Sequence, residues 1–313
     1  MRVSSKMEYS DFLKNLQIST NKVQKTMNQL SSLKEVNKAS DNPLLVAKIL
    51  DLNVSISQNK TYGQTISDST HWSQTQDSAL DNVSTLMLNI RNLIESSANS
   101  GTATPAVYNA NRKEISQSIS GIVDALNTNY DGRYIFGGTK TQEPPFAVIK
   151  DAEGAAVSLE YRGNVDNLQR EISDGVSLDL ATDGSRLMHA DGSSGIDKDS
   201  KSELTEFFSG LIDTLKSGDP DRKLSSEYLS GIDKFTENFT DYRSKIGSIE
   251  NRLSSASARN KSEKNTLAET LSNKQDVDVT EKYMEYQNQM IAYRSTLAMG
   301  TKVMQTSILD YLR

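Results

Sequence analysis

A heptad pattern of apolar residues begins close to the amino end of the chain. Leu16, Val23 and Leu30 recur every seven residues, and Leu13 and Met27 belong to an offset set with the same period. Apolar residues at this spacing form a stripe along one side of a helix, and such a stripe packs along a second helix. We therefore predict that the amino end is a helix that pairs with another helix.

A second pattern with the same period runs over more than four heptads to the carboxyl end. Its first set is Tyr283, Met290, Leu297, Met304 and Tyr311, and the offset set includes Val279, Tyr286, Tyr293 and Gly300. Chain ends are usually frayed and polar, so two ends that carry apolar stripes need a surface that buries them. The two ends are predicted to meet as a coiled coil formed by residues 1–40 and 276–313.

The stretches between the ends predict further long helices. In Ser40-Asp41-Asn42-Pro43, Asp41 or Asn42 can accept the free amide bonds of a first helical turn, and proline suits that turn. This helix is expected to reach about Ser96. A third helix follows Pro105 and ends near Asp131-Gly132, and a fourth covers Glu203–Leu215. A fifth opens at Asp219-Pro220, and 260–278 is the expected joint before the last. The apolar stripe of the third helix is Ile115, Ile119, Ile122 and Leu126, and the fifth carries two heptad sets, Ile232, Phe239, Ile246 and Leu253 against Tyr228, Phe235, Tyr242 and Ile249.

The hydrophobic period changes in the middle of the chain. Val157, Leu159 and Tyr161 alternate with other residues, as in half-buried strands, and glycines recur at turn spacing. We read 141–200 as a small β-rich domain inserted into a helical core formed by 41–140 and 201–275. The predicted fold class is mainly α: a long helical coiled-coil rod, a discontinuous helical core domain and an inserted β-rich domain.

Composition favours an elongated, acidic, ordered protein. Hydrophobic residues are 35% of the chain, below the ~45–50% of average soluble proteins, as suits a shape that buries little surface. The net charge of −6 offers no basis for binding nucleic acid. The absence of cysteine fits a chain that travels unfolded, and it fits a cysteine-free cytosolic protein equally well.

The sequence predicts no catalytic or metal site and no cofactor. His71 and His189 have no recognisable partners for a nucleophilic triad or a metal site. The acidic stretch 191–199 lacks the spacing of a calcium loop. No apolar run approaches the ~20 residues of a membrane span, and the start lacks the apolar core of a secretory signal peptide.

Three stretches resemble the flagellin superfamily. They are 29–43, which contains Ser31-Ser32-Leu33-Lys34 and Ser40-Asp41-Asn42-Pro43; 132–146, which contains Phe136-Gly137-Gly138-Thr139 and Pro144-Pro145-Phe146; and the last ten residues, 304–313. The second stretch, the modest length and the Leu-Asp-Tyr-Leu tail are similar to the hook–filament junction proteins of that superfamily. The family usually has Gly where Leu33 stands, so a less sharp bend is expected there.

The resemblance implies a structural role and no enzymatic activity. It implies an extracellular subunit of the bacterial flagellum that forms a ring between hook-associated protein 1 and the flagellin filament. The paired ends would line the inner tube and be disordered in the free monomer, and the β-rich domain would project outward. The chain would leave the cell unfolded through the flagellar type III export apparatus, without membrane insertion, after an export chaperone has held its last helix.

These expectations assign residues to two sites. The assembly interface comprises Leu13, Leu16, Val23, Met27, Leu30, Tyr283, Tyr286, Met290, Tyr293, Leu297, Met304 and Tyr311, and the chaperone site comprises Met290, Leu297 and Met304. A flagellin-type filament subunit is the nearest alternative. A cytoplasmic signalling coiled coil and a secreted hydrolase on a helical scaffold are two others. The glycine-punctuated region argues against the coiled coil, and the hydrolase has no site that can be named.

Overall fold

The chain forms two compact units. The computed structural model describes residues 2–98, 104–195, 202–217 and 224–311, except the side chains of residues 2–6, 8, 225 and 303–311. The first unit, which we call the terminal unit, combines Met1–Lys60 with Ser262–Arg313. The second, the central unit, is Thr61–Lys261.

The described residues are mostly helical, which confirms the predicted fold class. The α-helices are α1 (Arg2–Ser32), α2 (Pro43–Ala98), α3 (Pro105–Leu126), α4 (Glu203–Ser217), α5 (Leu229–Gln275) and α6 (Val279–Tyr311). A 3₁₀ helix covers Gly184–Met188, and a π-helical turn at Leu224–Tyr228 precedes α5. None of the helices in the described ranges is long and apolar enough to cross a lipid bilayer.

Six strands among the described residues form three antiparallel hairpins in the central unit. The pairs are β1 (Asn129–Tyr130) with β2 (Arg133–Tyr134), β3 (Phe146–Lys150) with β4 (Ala156–Tyr161), and β5 (Gln169–Ser173) with β6 (Val176–Asp179). Phe146 lies opposite Tyr161 at one end of the β3–β4 ladder. These hairpins provide the β-rich part of a mainly helical chain.

The core of the central unit follows the predicted stripes. Every residue of the stripe on α3 is fully buried, and the members of the two heptad sets that lie on α5 are buried; the residues are Ile115, Ile119, Ile122, Leu126, Ile232, Phe235, Phe239, Tyr242, Ile246, Ile249 and Leu253. The remaining member, Tyr228, is half-buried in the π-helical turn before α5. The helices α3 and α4 both pack against the β3–β4 hairpin. Because these stripes bury apolar surface on one side of each helix, they hold the hairpins to the helical core.

A buried polar cluster ties the 3₁₀ helix to α5. The carboxylate of Asp183 accepts hydrogen bonds from the backbone N–H and the hydroxyl of Ser185, at 3.0 and 2.5 Å, and from the hydroxyl of Ser194 at 2.5 Å. The hydroxyl of Tyr242 donates to the carbonyl oxygen of Asp183 at 3.0 Å, and burial strongly raises the pKa of that phenol. A buried charge that is fully hydrogen-bonded in this way fixes one arrangement of its neighbours.

Two predicted boundaries are wrong. The third helix ends at Leu126, and Asp131 and Gly132, with φ of 51° and 73°, form the two-residue turn of the β1–β2 hairpin. The joint before the last helix is shorter than expected: α5 continues to Gln275, and only 276–278 separate it from α6. The proposed opening of the fifth helix at Asp219-Pro220 lies outside the described residues.

The Gly137-Gly138 motif marks a crowded turn. Gly138 has a φ of 68°, and its N–H donates to the carbonyl of Thr182 at 2.8 Å. A side chain at this position would collide with Asn164, whose amide holds the neighbouring Thr139 through hydrogen bonds of 2.6 and 2.7 Å. Glycine is therefore required both by its backbone conformation and by the space available.

Candidate assembly interface

The helices α1 and α6 pack closely and antiparallel within the terminal unit. Phe12 meets Gly300 near one end of the pair, and the hydroxyl of Thr26 donates to Oε1 of Gln289 at 2.7 Å further along. Residues with higher numbers on α1 therefore contact residues with lower numbers on α6, as in an antiparallel pair. The two ends of the chain meet, as their heptads predicted.

The seam between these helices repeats at alternating three- and four-residue steps. Its members are the half-buried or buried residues Phe12, Leu16, Ser19, Val23, Thr26 and Leu30 of α1, and Lys282, Tyr286, Gln289, Tyr293, Thr296 and Gly300 of α6. This is the spacing of a coiled coil. Half of the seam consists of polar or small side chains, so it gives a defined register and close approach but buries little apolar surface.

The structure separates the predicted interface residues into two groups. Leu16, Val23, Leu30, Tyr286 and Tyr293 lie half-buried in the seam. Leu13, Met27, Tyr283 and Leu297 are exposed, and Met290 is half-buried. The side chains of Met304 and Tyr311 lie outside the described residues.

The observed seam differs by one residue from one of the two predicted heptad sets on each helix, and this difference in register explains the separation. On α1 the offset set of the seam is Phe12, Ser19 and Thr26, one position before the set that includes Leu13 and Met27. On α6 it is Lys282, Gln289 and Thr296, again one position before Tyr283, Met290 and Leu297. The larger apolar residues therefore flank the seam instead of filling it.

The two sides of the helical pair differ in chemistry. A groove of about 690 Å³ follows one side, where Asn15, Ile18 and Lys22 of α1 face Glu281, Met284, Glu285 and Ala292 of α6. Because these residues flank the seam on one side, the offset residues flank it on the other. We call that second side the apolar face; it consists of Leu13, Met27, Tyr283, Met290 and Leu297.

Exposed apolar residues are concentrated in the terminal unit. Nineteen large hydrophobic residues are exposed among those that the structure describes, and fifteen of them belong to this unit; Leu88, Ile149, Val165 and Val176 are the four in the central unit. Scattered exposed apolar residues are normal, but contiguous groups mark interaction surfaces. The exposed apolar residues of the terminal unit lie on α1, the start of α2 and α6 and at Leu33.

The joint beside this pair keeps the geometry that glycine usually provides. Leu33, directly after α1, has a φ of 56°. Its carbonyl accepts a hydrogen bond from Val277 N–H at 3.3 Å, and Glu35 N–H donates to the carbonyl of Gln275 at 2.8 Å. The expectation that leucine relaxes this bend is therefore wrong: the backbone pairing holds Leu33 in the left-handed conformation.

Capping and charge fix the starts of the adjoining helices. Oδ1 of Asn42 accepts the N–H of Leu45 at 3.1 Å, which confirms the predicted start of α2, and Asp278 caps α6 through the N–H groups of Thr280 and Glu281. Lys282 donates to Glu35 and Glu285, both at 3.2 Å. Burial alone would lower the pKa of Lys282, but these two carboxylates outweigh it and raise that pKa.

The two histidines and the acidic residue Asp191, which were candidates for catalysis or metal binding, lie apart from any cluster of such groups among the described residues. His189 is buried, with Nε2 3.4 Å from the carbonyl oxygen of Gly195, and His71 is exposed on α2. Asp191 accepts the backbone N–H of Ser193, which lowers the pKa of its carboxyl. Within the described ranges no three His, Cys, Asp or Glu residues gather as metal ligands. A pocket of about 230 Å³ beside Trp72 and Tyr130 is smaller than the ~300–1,000 Å³ of typical ligand sites.

The hydrophobic pattern missed the polar and small members of the seam. Thr26 and Gln289 carry no apolar signal, so a search for large hydrophobic residues passes over them. A search for short side chains at heptad spacing would have found Ser19, Thr26 and Gly300, because close helix approach needs small residues where the backbones meet.

Comparison with known proteins identifies the family. The bacterial flagellin N-terminal helical region matches residues 3–141, and the bacterial flagellin C-terminal helical region matches residues 229–312. The two matches together cover more than two thirds of the chain.

Individual relatives align over nearly the full length. The chain is 23% identical to flagellar hook-associated protein 3 of Escherichia coli (strain K12), over 98% of both chains. It is also 23% identical to flagellin of Bacillus subtilis (strain 168), over 100% of both. The crystal structure of the flagellar junction protein FlgL from Legionella pneumophila has the same fold, with a TM-score of 0.56 and 12% identity over 73% of this chain and 100% of that one. As its motifs predicted, the chain belongs to the flagellin superfamily.

Proposed function

We propose that this chain is a structural subunit of the bacterial flagellum that forms the junction ring between hook-associated protein 1 and the flagellin filament. The observation that carries the proposal is the apolar face on the paired ends of a flagellin-superfamily chain. A subunit that exposes Leu13, Met27, Tyr283 and Leu297 is suited to bury them against neighbours. The alignment with flagellar hook-associated protein 3 over 98% of both chains supports the junction role.

The terminal unit is the part that we assign to the inner tube. In the proposed assembly 1–40 and 276–313 form the coiled coil, 41–140 and 201–275 the surrounding helical core, and 141–200 the outward β-rich domain. The seam of α1 and α6 contains polar contacts such as Thr26 with Gln289, so it contributes little hydrophobic stabilisation by itself. We therefore expect these ends to be disordered in the free monomer and ordered by their neighbours in the ring.

The same surface explains the export partners that we propose. Before export, Met290, Leu297 and Met304 would be covered by a flagellar export chaperone, because an uncovered apolar helix promotes aggregation. The chain would then pass unfolded through the type III export channel and assemble outside the cell. This family is structural, and we propose no catalytic activity and no cofactor.

A flagellin-type filament subunit is the second candidate. The observation that favours it is the alignment with Bacillus subtilis flagellin over the whole of both chains. The two roles differ in copy number: a filament contains thousands of subunits, whereas a junction needs one ring.

Deletion of the gene separates these roles. Electron microscopy of the deletion strain, together with measurement of flagellin in the medium, should reveal bare hooks and shed flagellin if the chain forms the junction. Bare hooks without shed flagellin would assign the chain to the filament itself. Full filaments on the deletion strain would contradict both roles. Re-expression of the intact chain is the control for effects on neighbouring genes.

A further inference from the structure

The methionines of this chain are divided by location and exposure. The chain has nine. In the terminal unit Met7, Met27, Met284 and Met299 are 66%, 58%, 57% and 68% exposed, and Met290 is half-buried. In the central unit Met87 and Met188 are 0% and 1% exposed. The side chains of Met1 and Met304 lie outside the described residues.

Methionine suits a surface that meets unlike partners. Its unbranched, polarisable side chain adapts to differently shaped neighbours, and it is frequent on binding surfaces that accept several partners. Met27 lies on the apolar face, and Met284 lines the groove on the opposite side of the same helical pair. Both sides of the pair therefore carry this adaptable and oxidisable side chain.

We propose that these exposed methionines make the assembly surface an oxidation-sensitive modification site, at which a peroxide-class oxidant blocks docking of the free subunit. The inference rests on the proposed function. The thioether sulfur attacks one peroxide oxygen: an S–O bond forms, the O–O bond breaks and the peroxide leaves as water. The sulfur is oxidised by two electrons to the sulfoxide, and the peroxide is reduced.

The sulfoxide opposes docking because it is polar. Its oxygen is a strong hydrogen-bond acceptor, and burying it against an apolar neighbour without a donor is unfavourable. Oxidation of Met27 would place such an oxygen on the apolar face, and oxidation of Met284 would place one in the groove. Met87 and Met188 are shielded inside the central unit and serve as an internal reference.

The test uses the purified full-length chain and hydrogen peroxide. Peptide mass spectrometry follows sulfoxide formation at each methionine, and co-sedimentation measures binding to hook particles isolated from the deletion strain. We expect Met27, Met284 and Met299 to be oxidised before Met87 and Met188, with at least a tenfold loss of binding. Methionine sulfoxide reductase should restore binding, which separates sulfoxide formation from irreversible damage.

The matched control is the Met27→Leu/Met284→Leu/Met299→Leu variant. Leucine conserves volume and apolar character but cannot form a sulfoxide. Peroxide should therefore lower the binding of this variant, relative to its own untreated binding, by less than it lowers the binding of the wild-type chain. Unchanged binding of fully oxidised wild-type chain would overturn the inference and leave the proposed function standing. Equal peroxide sensitivity of the leucine variant would also overturn it. Absence of binding by the untreated chain would instead contradict the proposed function on which it rests.

Discussion

The ring of Phe12 occupies the space beside Gly300 that any larger residue would need. A Cβ atom on Gly300 would overlap three ring carbons of Phe12, and Gly300 is buried by the contact. This contact lies in the polar and small-residue seam of α1 and α6. It sets the distance and the register of the two helices at that point.

Gly300→Ala should weaken assembly despite improving the helix. Alanine in place of glycine stabilises a helix interior by about 1 kcal/mol, but here Phe12 must move or the helices must separate. We expect a higher chain concentration for half-maximal co-sedimentation with hook particles. Adding Phe12→Leu should recover part of the loss, with a coupling energy of about 0.5–3 kcal/mol in the double-mutant cycle.

The control for this prediction is Gly247→Ala on α5. An added Cβ at Gly247 meets no atom within 4 Å, so this variant should gain helix stability of about 1 kcal/mol without a steric cost. If Gly300→Ala behaved like Gly247→Ala, the proposed close contact at Phe12 would be contradicted.

Leu33→Gly should stabilise the joint between the helices. Leucine at a φ of 56° is strained by roughly 1–2 kcal/mol, and glycine would remove this strain. The greater freedom of glycine in the unfolded chain lowers the net gain in stability by about 0.4–1 kcal/mol. Amide hydrogen exchange at 27–36, measured on the chain bound to hook particles, should therefore slow modestly. The control is Leu50→Gly, at an exposed position inside α2, which should instead destabilise its helix by about 1 kcal/mol. Faster amide exchange in both variants would contradict the strain at Leu33.

The buried side of a helix can be predicted from sequence where it consists of large apolar residues that pack in a core. It cannot be predicted in this way where the buried residues are polar. The α5 set that includes Phe239 and Ile246 is buried as predicted, because a large apolar side chain carries its own signal. Thr26 and Gln289 carry no such signal. Their burial depends on a helix more than 250 residues away in the chain, so only the assembled pair reveals them.

The missed hairpin has a different cause. Asp131-Gly132 was interpreted as the end of a helix, whereas Asp-Gly between paired residues is also a strong signal for a two-residue β-turn. Asn129 pairs with Tyr134, and Tyr130 with Arg133, in a ladder too short to show an alternating pattern. The turn chemistry was therefore the usable signal at this position.

Glu250→Gln should raise stability at neutral pH and not in acid. Burial, and then the negative charge of Asp77, raise the pKa of Glu250, and its Oε1 has no hydrogen-bond partner among the described residues. When folding raises the pKa of a carboxyl, its contribution to stability is fully present below the pKa of ~4.3 that a glutamate has in the unfolded chain. This contribution is lost as the pH rises through the pKa of the folded state. The variant should therefore be more stable than the wild-type chain at pH 7, and this gain should shrink towards pH 4.

Urea unfolding at several pH values measures this difference. Glu237→Gln, an exposed position on the same helix, removes the same charge without the burial and is the control. A gain for Glu250→Gln that did not change between pH 7 and pH 4 would contradict the assigned cause.

Leu297→Asp should abolish assembly and leave the central unit folded. Leu297 lies exposed on the apolar face of α6, so a carboxylate there disturbs no core but would be buried without a partner in the ring, at a cost of several kcal/mol. Leu88→Asp makes the same exchange at an exposed leucine of α2 in the central unit and should retain binding to hook particles. Thermal unfolding should be unchanged in both. Normal filaments on cells that express only Leu297→Asp would show that the apolar face is not the assembly surface. Loss of binding in both variants would show that the effect of the added carboxylate is not specific to that face.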